Sequence, residues 1–265
     1  MRNPFRAKTP PVSAPQGDPP SVGERRVYAI GDIHGRDDLF ADLLLQIDAD
    51  SAARGAIPTE LILLGDLVDR GPSSAQVVER ALALSHSDAP VRFLKGNHEE
   101  VFLLAARGDV RALRFFYRIG GRATILSYGL SASDYLAMDD TQLRDWMLNH
   151  VPRAHLDFIE DFEDMIAVGD YLFVHAGIRP DVALDAQDSS DLRWIREEFL
   201  RHPGAHSHIV VHGHTIFEEV DARTNRIGID TGAFASGKLT AIGLEGTKQW
   251  FLATDGAPCA WADMD

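Results

Sequence analysis

The stretch "LLGDLVDRGP", residues 63–72, decides the fold, because it ends an apolar run with two aspartates, Asp66 and Asp69, set among glycines. Asp and Gly are poor strand formers, so a buried strand must stop here. The segment is either an ordinary turn or the place where a strand delivers carboxylates to a site. The patterns in the rest of the chain distinguish these two interpretations.

The same pattern occurs on both sides of this stretch. "RVYAI" at 26–30 is an apolar strand pattern followed by "GDIHG", and "VRFL" at 91–94 is followed by "KGNHEE". Each loop leads into a helical pattern: one over 37–47, one that starts at Ser73 or Ser74 and runs to about Leu84, and one in "EEVFLLAA". Strand, polar loop and helix therefore occur in this order three times, which predicts an α/β layer architecture.

Short strands are also predicted in the second half of the chain. "MIAVGDYLFVHAG" indicates a hairpin that turns at Gly169 and Asp170. Further strands are indicated by "HIVVHGHT" (208–215), "RIGID" (226–230), "KLTAIGL" (238–244) and "QWF" (249–251).

The prolines of residues 1–23 predict a disordered leader. We expect one domain over 24–255, with a helical insertion at 107–165, and a tail at 256–265.

Composition limits the partners and the compartment. The chain has 265 residues, 45% of them apolar, and a net charge of −14, which disfavours nucleic acid and anionic membranes as partners. Its single cysteine, Cys259, cannot form an internal disulfide. The sequence shows no apolar run that could span a bilayer and no apolar signal-peptide core. We therefore expect a cytoplasmic protein with no membrane partner and no stable nucleic-acid partner.

Residue types that can bind metal ions follow five of the predicted strands. They are Asp32 with His34, Asp66, Asn97 with His98, His175, and His214. Taken singly, each has an ordinary explanation as a turn, a surface residue or a core histidine. In α/β sheets, however, sites form beyond the carboxyl ends of strands. Because all of these residues lie at strand ends, the pattern favours a functional site over separate structural roles.

The ligand types predict two adjacent divalent ions. A carboxylate can bridge two ions, whereas an amide or an imidazole supplies one neutral ligand. Mixed nitrogen and oxygen ligands suit Mn, Fe, Zn or Co better than Mg or Ca, and we expect Mn. Such a pair supports displacement at phosphorus. His212 and His214 are two residues apart, so strand periodicity alone cannot decide which of them is the ligand.

The motifs "GDIHG", "GDLVDRG", "GNHE", "HAG" and "GHT" resemble, in this order, those of the calcineurin-like metallophosphoesterases. The pair "GDLVDRG…GNHE" resembles the phosphoprotein phosphatase branch. "DLRWIREEFL" and "IDTGAFASGKLTAI" resemble segments of bacterial and bacteriophage serine/threonine phosphatases. Symmetrical diadenosine tetraphosphate hydrolases share much of the pattern. The resemblance implies a sandwich of two mixed β-sheets flanked by helices.

The resemblance also implies a role for each residue in its motifs. Asp32 and His34 would bind a first metal, with Asp66 as the bridge. The second metal would be bound by Asn97, His175 and His214.

The remaining motif residues would act on the substrate. His98 would be the general acid, and Asp69 would orient it. Arg70 and Arg196 would bind phosphate oxygens together with Asn97, although Arg196 could also be a solvated helix-face residue. Trp194, next to "IRE", is expected to be a packing residue.

Two features favour monoester substrates. Many diesterases of the superfamily carry a second histidine in "GHxH", where this chain has Ile216. Two arginines suit a dianionic phosphate. We therefore predict a serine/threonine protein phosphatase that acts on a phosphoprotein or a small phosphorylated substrate. Two alternatives are a hydrolase of dinucleoside tetraphosphates or RNA nucleotide caps, and a non-catalytic metal-binding scaffold.

Overall fold

The computed structural model describes residues 18–259, which form two five-stranded β-sheets flanked by helices. The first sheet contains three parallel strands and one antiparallel hairpin along one edge. Its strands are β1 (Arg26–Ile30), β2 (Thr59–Leu63), β3 (Val91–Phe93), β9 (Thr240–Glu245) and β10 (Lys248–Ala253), in the spatial order β10-β9-β1-β2-β3.

The second sheet is also mixed. Its strands are β4 (Met165–Val168), β5 (Tyr171–Val174), β6 (Ile209–His212), β7 (Asp221–Ala222) and β8 (Arg226–Gly228), in the order β4-β5-β6-β8-β7. The three central strands are parallel, and an antiparallel strand lies at each edge. The predicted hairpin is confirmed, since Val168 pairs with Tyr171 across Gly169 and Asp170.

Helices cover the outer faces of both sheets. The helix predicted from residue 37 is longer than its apolar pattern, and five helices fill most of the segment 107–165 that was predicted to be helical. The helices are α1 (Asp37–Arg54), α2 (Ser74–Ser85), α3 (Asn97–Ala106), α4 (Val110–Arg118), α5 (Gly121–Ser127), α6 (Ala132–Ala137), α7 (Asp140–His150), α8 (Arg153–Glu160), α9 (Ser189–Trp194), α10 (Glu197–Leu200) and α11 (Ala233–Ser236).

Strand alternation divides the core into layers. In β1, Val27 and Ala29 face the second sheet, whereas Tyr28 and Ile30 face the helices, and all four are fully buried. A third cluster packs α9 and α10 on the outer face of the second sheet. The two-sheet sandwich predicted from the sequence is thus confirmed.

The packed chain extends slightly beyond the predicted domain boundaries. Ser21 exchanges backbone and side-chain hydrogen bonds with Asp170, and Val22 is buried between the sheets. Near the other end, the amide of Cys259 donates to the carbonyl of Phe234. Most of the predicted disordered leader, residues 1–17, lies outside the described residues. Within 18–259, no helix has the length and apolar composition needed to cross a bilayer.

Candidate metal centre

The two sheets bring their parallel strand ends to one cleft. The amide of Gly213, after β6, donates to the carbonyl of His175, after β5, at 2.8 Å. The next amide, that of His214, donates to both carboxylate oxygens of Asp32, after β1, at 3.0 and 3.1 Å. The first of these bonds joins two strand ends of the second sheet, and the bonds to Asp32 join that sheet to the first. The residues predicted from five separate motifs therefore meet in one place.

One group of possible ligand atoms surrounds Nε2 of His175. Asn97 Oδ1 lies 3.1 Å from it, His214 Nδ1 3.2 Å and Asp66 Oδ1 3.4 Å. All four side chains are buried. Four lone-pair atoms this close together in a buried site are suited to a cation.

A second group lies on the other side of Asp66. His34 Nε2 is 3.5 Å and His98 Nε2 is 3.8 Å from Asp66 Oδ2. Asp66 thus directs one carboxylate oxygen to each group, which is the arrangement that a bridging carboxylate needs. Within residues 18–259, Asp32 belongs to neither group, although its carboxylate borders the site through the amide of His214.

Backbone carbonyls set the orientation of two histidines. Nδ1–H of His34 donates to Val68 O at 2.8 Å, and Nδ1–H of His175 donates to Leu64 O at 2.8 Å. Each ring therefore presents the lone pair of Nε2 to the cleft, as metal-binding histidines do. Nε2 of His34 is buried and has no hydrogen-bond partner among residues 18–259. This donor set fits divalent transition metals.

Burial and neighbouring charges shift the acidities of these groups. Burial acts to raise the pKa of Asp66, but the charges of the surrounding histidines, that of His175 first, outweigh it and hold the pKa below its usual range. Burial, helped by the charge of His175, lowers the pKa of His214 to about 2. Both shifts favour the deprotonated forms of Asp66 and His214, which are the forms that bind metal ions.

The backbone is strained at the site. Six described residues other than glycine have a positive φ, and five of them carry predicted roles: His34, Asp66, Asp69, Arg70 and His214. Such conformations cost on the order of 1–3 kcal/mol each and persist only where the surroundings impose them.

Glu99 imposes part of this geometry, although its sequence position predicts no role in the site. Its buried carboxylate accepts hydrogen bonds from the amides of Asp66 (2.7 Å), Leu67 (2.8 Å) and Gly96 (3.0 Å). It therefore fixes the loop after β2 against the start of α3. The signal in the sequence is its place in "GNHE", three residues after Gly96, where a glutamate can cap a helix.

His98 lies in a chain of buried polar side chains. Nδ1–H of His98 donates to Asp69 Oδ2 at 2.6 Å, and the hydroxyl of Thr124 donates to Asp69 Oδ1 at 2.7 Å. Burial lowers the pKa of His98, but the charges of Asp66 and Asp69 outweigh burial and raise it. Thr124 lies in α5, in a segment that showed no chemistry in the sequence. The helical insertion thus braces the site.

The two predicted phosphate-binding arginines differ in how they are held. Arg70 Nη2 lies 3.2 Å from His98 Nε2, and the Arg70 guanidinium packs over the Phe234 ring at 4.8 Å. Arg196 is exposed, and no side-chain hydrogen bond or ion pair holds it within residues 18–259. Its positive charge helps to lower the pKa of His214, after burial and the charge of His175.

Trp194 lies at the edge of the site as well as being a packing residue. Its ring centroid is 6.5 Å from that of His214 and 5.9 Å from that of Phe115, which is 40% exposed. Its indole N–H donates to Glu100 at 2.9 Å.

The structure separates the two histidines that strand periodicity could not distinguish. His214 reaches the cleft, whereas His212 is fully buried beside Phe199 and Phe217, with ring centroids 5.1 and 6.4 Å away. Burial lowers the pKa of His212 to about 4, so that it is a neutral core residue.

We therefore expect different effects from the two alanine variants. His214→Ala should lose metal binding at the group around His175, because it removes one of the four ligand atoms there. His212→Ala should keep metal binding but lose stability, by about 1–3 kcal/mol, through the cavity that it leaves. Metal content per chain and thermal unfolding of the two purified variants check this. An emptied site in His212→Ala alone would refute the assignment.

The fold and this cluster are those of a protein that could bind divalent metal ions between two β-sheets, and comparison with known proteins gives the family. The model of the calcineurin-like phosphoesterase family matches residues 25–239. The chain belongs to this family. A crystal structure provisionally identified as a diadenosine tetraphosphatase superposes with a TM-score of 0.57 at 19% identity, covering 86% of this chain and 93% of that one.

Curated relatives carry nucleotide-related names. A symmetrical bis(5′-nucleosyl)-tetraphosphatase of Acidovorax sp. is 36% identical over 178 residues, which are 67% of this chain and 49% of that protein. An asymmetrical bis(5′-nucleosyl)-tetraphosphatase of Anoxybacillus flavithermus is 27% identical over 80% of this chain and 88% of its own length. The chain thus spans about half the length of the first of these relatives.

Proposed function

We propose that this protein is a metal-dependent phosphomonoesterase that acts on phosphoserine and phosphothreonine or on small phosphate esters. The observation that supports it most is the position of Asp66, whose two oxygens face two separate groups of buried ligand atoms. Two divalent ions would be held here with Asp66 between them, one by His34 together with the adjacent Asp32, and one by Asn97, His175 and His214. We propose Mn²⁺ at both positions, with Fe, Zn or Co as the alternatives, because nitrogen and oxygen ligands suit all four metals.

The metal pair supplies, when bound, a hydroxide nucleophile near neutral pH and positive charge for the phosphoryl oxygens. The residues of the chain supply the rest. Arg70 and Arg196 hold the non-bridging oxygens of a dianionic phosphate, and Asn97 orients it from the second group. His98 gives a proton from Nε2 to the leaving oxygen. Asp69 holds Nδ1–H of His98 and so fixes the direction of Nε2.

The substrate-binding roles of the arginines can be tested separately. Arg70→Ala and Arg196→Ala should each weaken binding of inorganic phosphate by about tenfold or more, since each removes charge-assisted hydrogen bonds. Mn²⁺ content should not change, because neither residue is a ligand. Competitive inhibition by phosphate measures the phosphate affinity, and metal analysis measures the Mn²⁺ content per chain.

Arg193→Ala is a matched control, because this arginine is already paired with Asp164. Wild-type phosphate binding by Arg196→Ala would show that Arg196 is only a solvated residue.

A specific observation favours a second candidate, the hydrolysis of dinucleoside tetraphosphates. The relative from Acidovorax sp. is named for this activity. The aromatic pair of Trp194 and Phe115 beside His214 would provide a surface on which a base could stack.

Turnover of a phosphoserine peptide and of diadenosine tetraphosphate, measured side by side with Mn²⁺, distinguishes the two candidates. The monoesterase proposal predicts a higher kcat/KM for the peptide, and the second candidate predicts the reverse. Phe115→Ala extends the comparison, because it should impair only a nucleotide substrate. Activity on neither substrate, together with intact metal binding, would favour a non-catalytic scaffold.

A further inference from the structure

A sixth strand end reaches the cleft and carries a carboxylate to which no role has been given. Strand β8 runs parallel to β6 and ends at Gly228, and Asp230 follows it in "RIGIDTG". Because parallel strands end at the same edge of a sheet, Asp230 leaves the sheet beside His214.

Close backbone contacts bring this strand end next to β1. A side chain at Gly31 would lie 2.6 Å from the carbonyl oxygen of Ile229 and 3.6 Å from the amide nitrogen of Asp230. Asp32, the next residue after Gly31, therefore emerges directly beside Asp230. Only a glycine permits this approach of the two strand ends.

The local structure accounts for only one of the two carboxylate oxygens of Asp230. Oδ1 accepts a hydrogen bond from the amide of Gly232 at 2.9 Å, which closes an ordinary turn. Oδ2 is buried and has no hydrogen-bond partner within residues 18–259, and the residue is 1% exposed. A buried carboxylate oxygen with no partner is costly unless a cation or a water molecule binds to it.

The electrostatics of the cleft add to this cost. Asp32, Asp66 and Asp230 are all buried at neighbouring strand ends, where water screens their charges poorly. Three buried carboxylates thus repel one another in one cleft. A divalent cation is the partner that would compensate this repulsion.

We propose that Asp230 is a further oxygen ligand, binding directly or through one water molecule to the metal ion that Asp32 helps to hold. This inference rests on the proposed metal-dependent function. It assigns Oδ2 to the ion or its water and leaves Oδ1 on the turn. A purely structural Asp230 would need only Oδ1, so the two roles predict different results for metal binding.

The test uses the full chain freed of metal and titrated calorimetrically with MnCl₂. Asp230→Asn should weaken one of the two Mn²⁺ affinities by about 10–100-fold, the range for residues that support a metal ligand. The other affinity should stay within about threefold. The metal-free variant should unfold at the same or a higher temperature than the wild type, because one repelling carboxylate is gone. Adding Mn²⁺ should raise the unfolding temperature of the variant by less than it raises that of the wild type.

Asp221→Asn is the matched control. It makes the same chemical change on the neighbouring strand β7, where the carboxylate pairs with Arg223 and Arg226. Its Mn²⁺ affinities should match those of the wild type even if its stability falls. Unchanged Mn²⁺ affinities in Asp230→Asn would overturn the inference while leaving the proposed function intact. A wild-type protein that binds no Mn²⁺ would instead overturn the proposed function and this inference with it.

A second measurement does not depend on the variant folding. Crystals of the wild-type protein soaked in MnCl₂ should give an anomalous peak within roughly 5 Å of Asp230 Oδ2, the sum of a metal–oxygen bond and a hydrogen bond. If the peak of the metal ion beside Asp32 and His34 lies farther than this from Asp230 Oδ2, the inference is also overturned.

Discussion

Asp66→Asn is expected to abolish phosphatase activity and to release both metal ions. An amide has only one oxygen to offer, and it carries no charge, so it cannot serve the two groups of ligands that Asp66 faces through Oδ1 and Oδ2. We expect turnover to fall by about 10³-fold or more, since this change removes the charge stabilisation on which the chemical step depends. Metal content per chain and kcat on a monoester substrate measure the two effects.

The Asp66→Asn variant should still fold. The amide oxygen of the new side chain can accept the hydrogen bond that the backbone amide of His98 now donates to Asp66 Oδ1 at 3.1 Å. Asp109→Asn is the matched control, because Asp109 caps α4 at an exposed position and asparagine caps equally well. Two tightly bound Mn²⁺ ions and substantial turnover in Asp66→Asn would refute the bridging role.

His98→Asn is expected to reduce turnover of alkyl phosphates by roughly 10²–10⁴-fold, the range for loss of a general acid. The loss should be much smaller for nitrophenyl phosphate, whose leaving group hardly needs a proton. Steady-state kinetics on the two substrates give this ratio.

Metal content decides between two roles that the geometry allows for His98. Its Nε2 lies with His34 and Asp66 in a group that could hold an ion, although Nδ1 is bound to Asp69. As a general acid, His98 can be replaced without loss of Mn²⁺. As a ligand, its replacement would release an ion and would reduce turnover equally on both substrates. Asp69→Asn should resemble His98→Asn in its substrate dependence, with a smaller loss.

The layered fold and the position of the candidate site could be predicted from the sequence, because both depend on local signals. Apolar runs ending at "GD", "GNH" and "HAG" identify strands and their carboxyl ends at once. The parallel order of the strands then brings these ends together, as it does for His175 and Asn97, whose side chains lie 3.1 Å apart. The roles of the individual residues remain predictions.

Contacts between distant segments could not be predicted in this way, and Glu99, Thr124 and Asp230 escaped prediction for this reason. Glu99 acts through the amides after β2, Thr124 through Asp69, and Asp230 through the strand end of β1. Such contacts depend on how the helical insertion and the two sheets pack, which motif spacing does not contain.

The sequence also could not predict which histidine of "VHGHT" faces the cleft, and only the structure distinguishes them. Alternation places His212 and His214 on the same face only if the strand continues, but β6 ends at His212 and His214 has a φ of 63°. The break at Gly213 turns His214 into the cleft and leaves His212 in the core.

The central claim is that Asp66 stands between two metal ions, and anomalous diffraction from a crystal of the wild-type protein soaked in MnCl₂ tests it most directly. We predict two peaks about 3.5–4 Å apart, the usual separation in two-metal hydrolytic sites, with Asp66 in contact with both. One of them should lie beside His34, and the other beside His175 and His214. A single peak, or two peaks of which only one contacts Asp66, would contradict it.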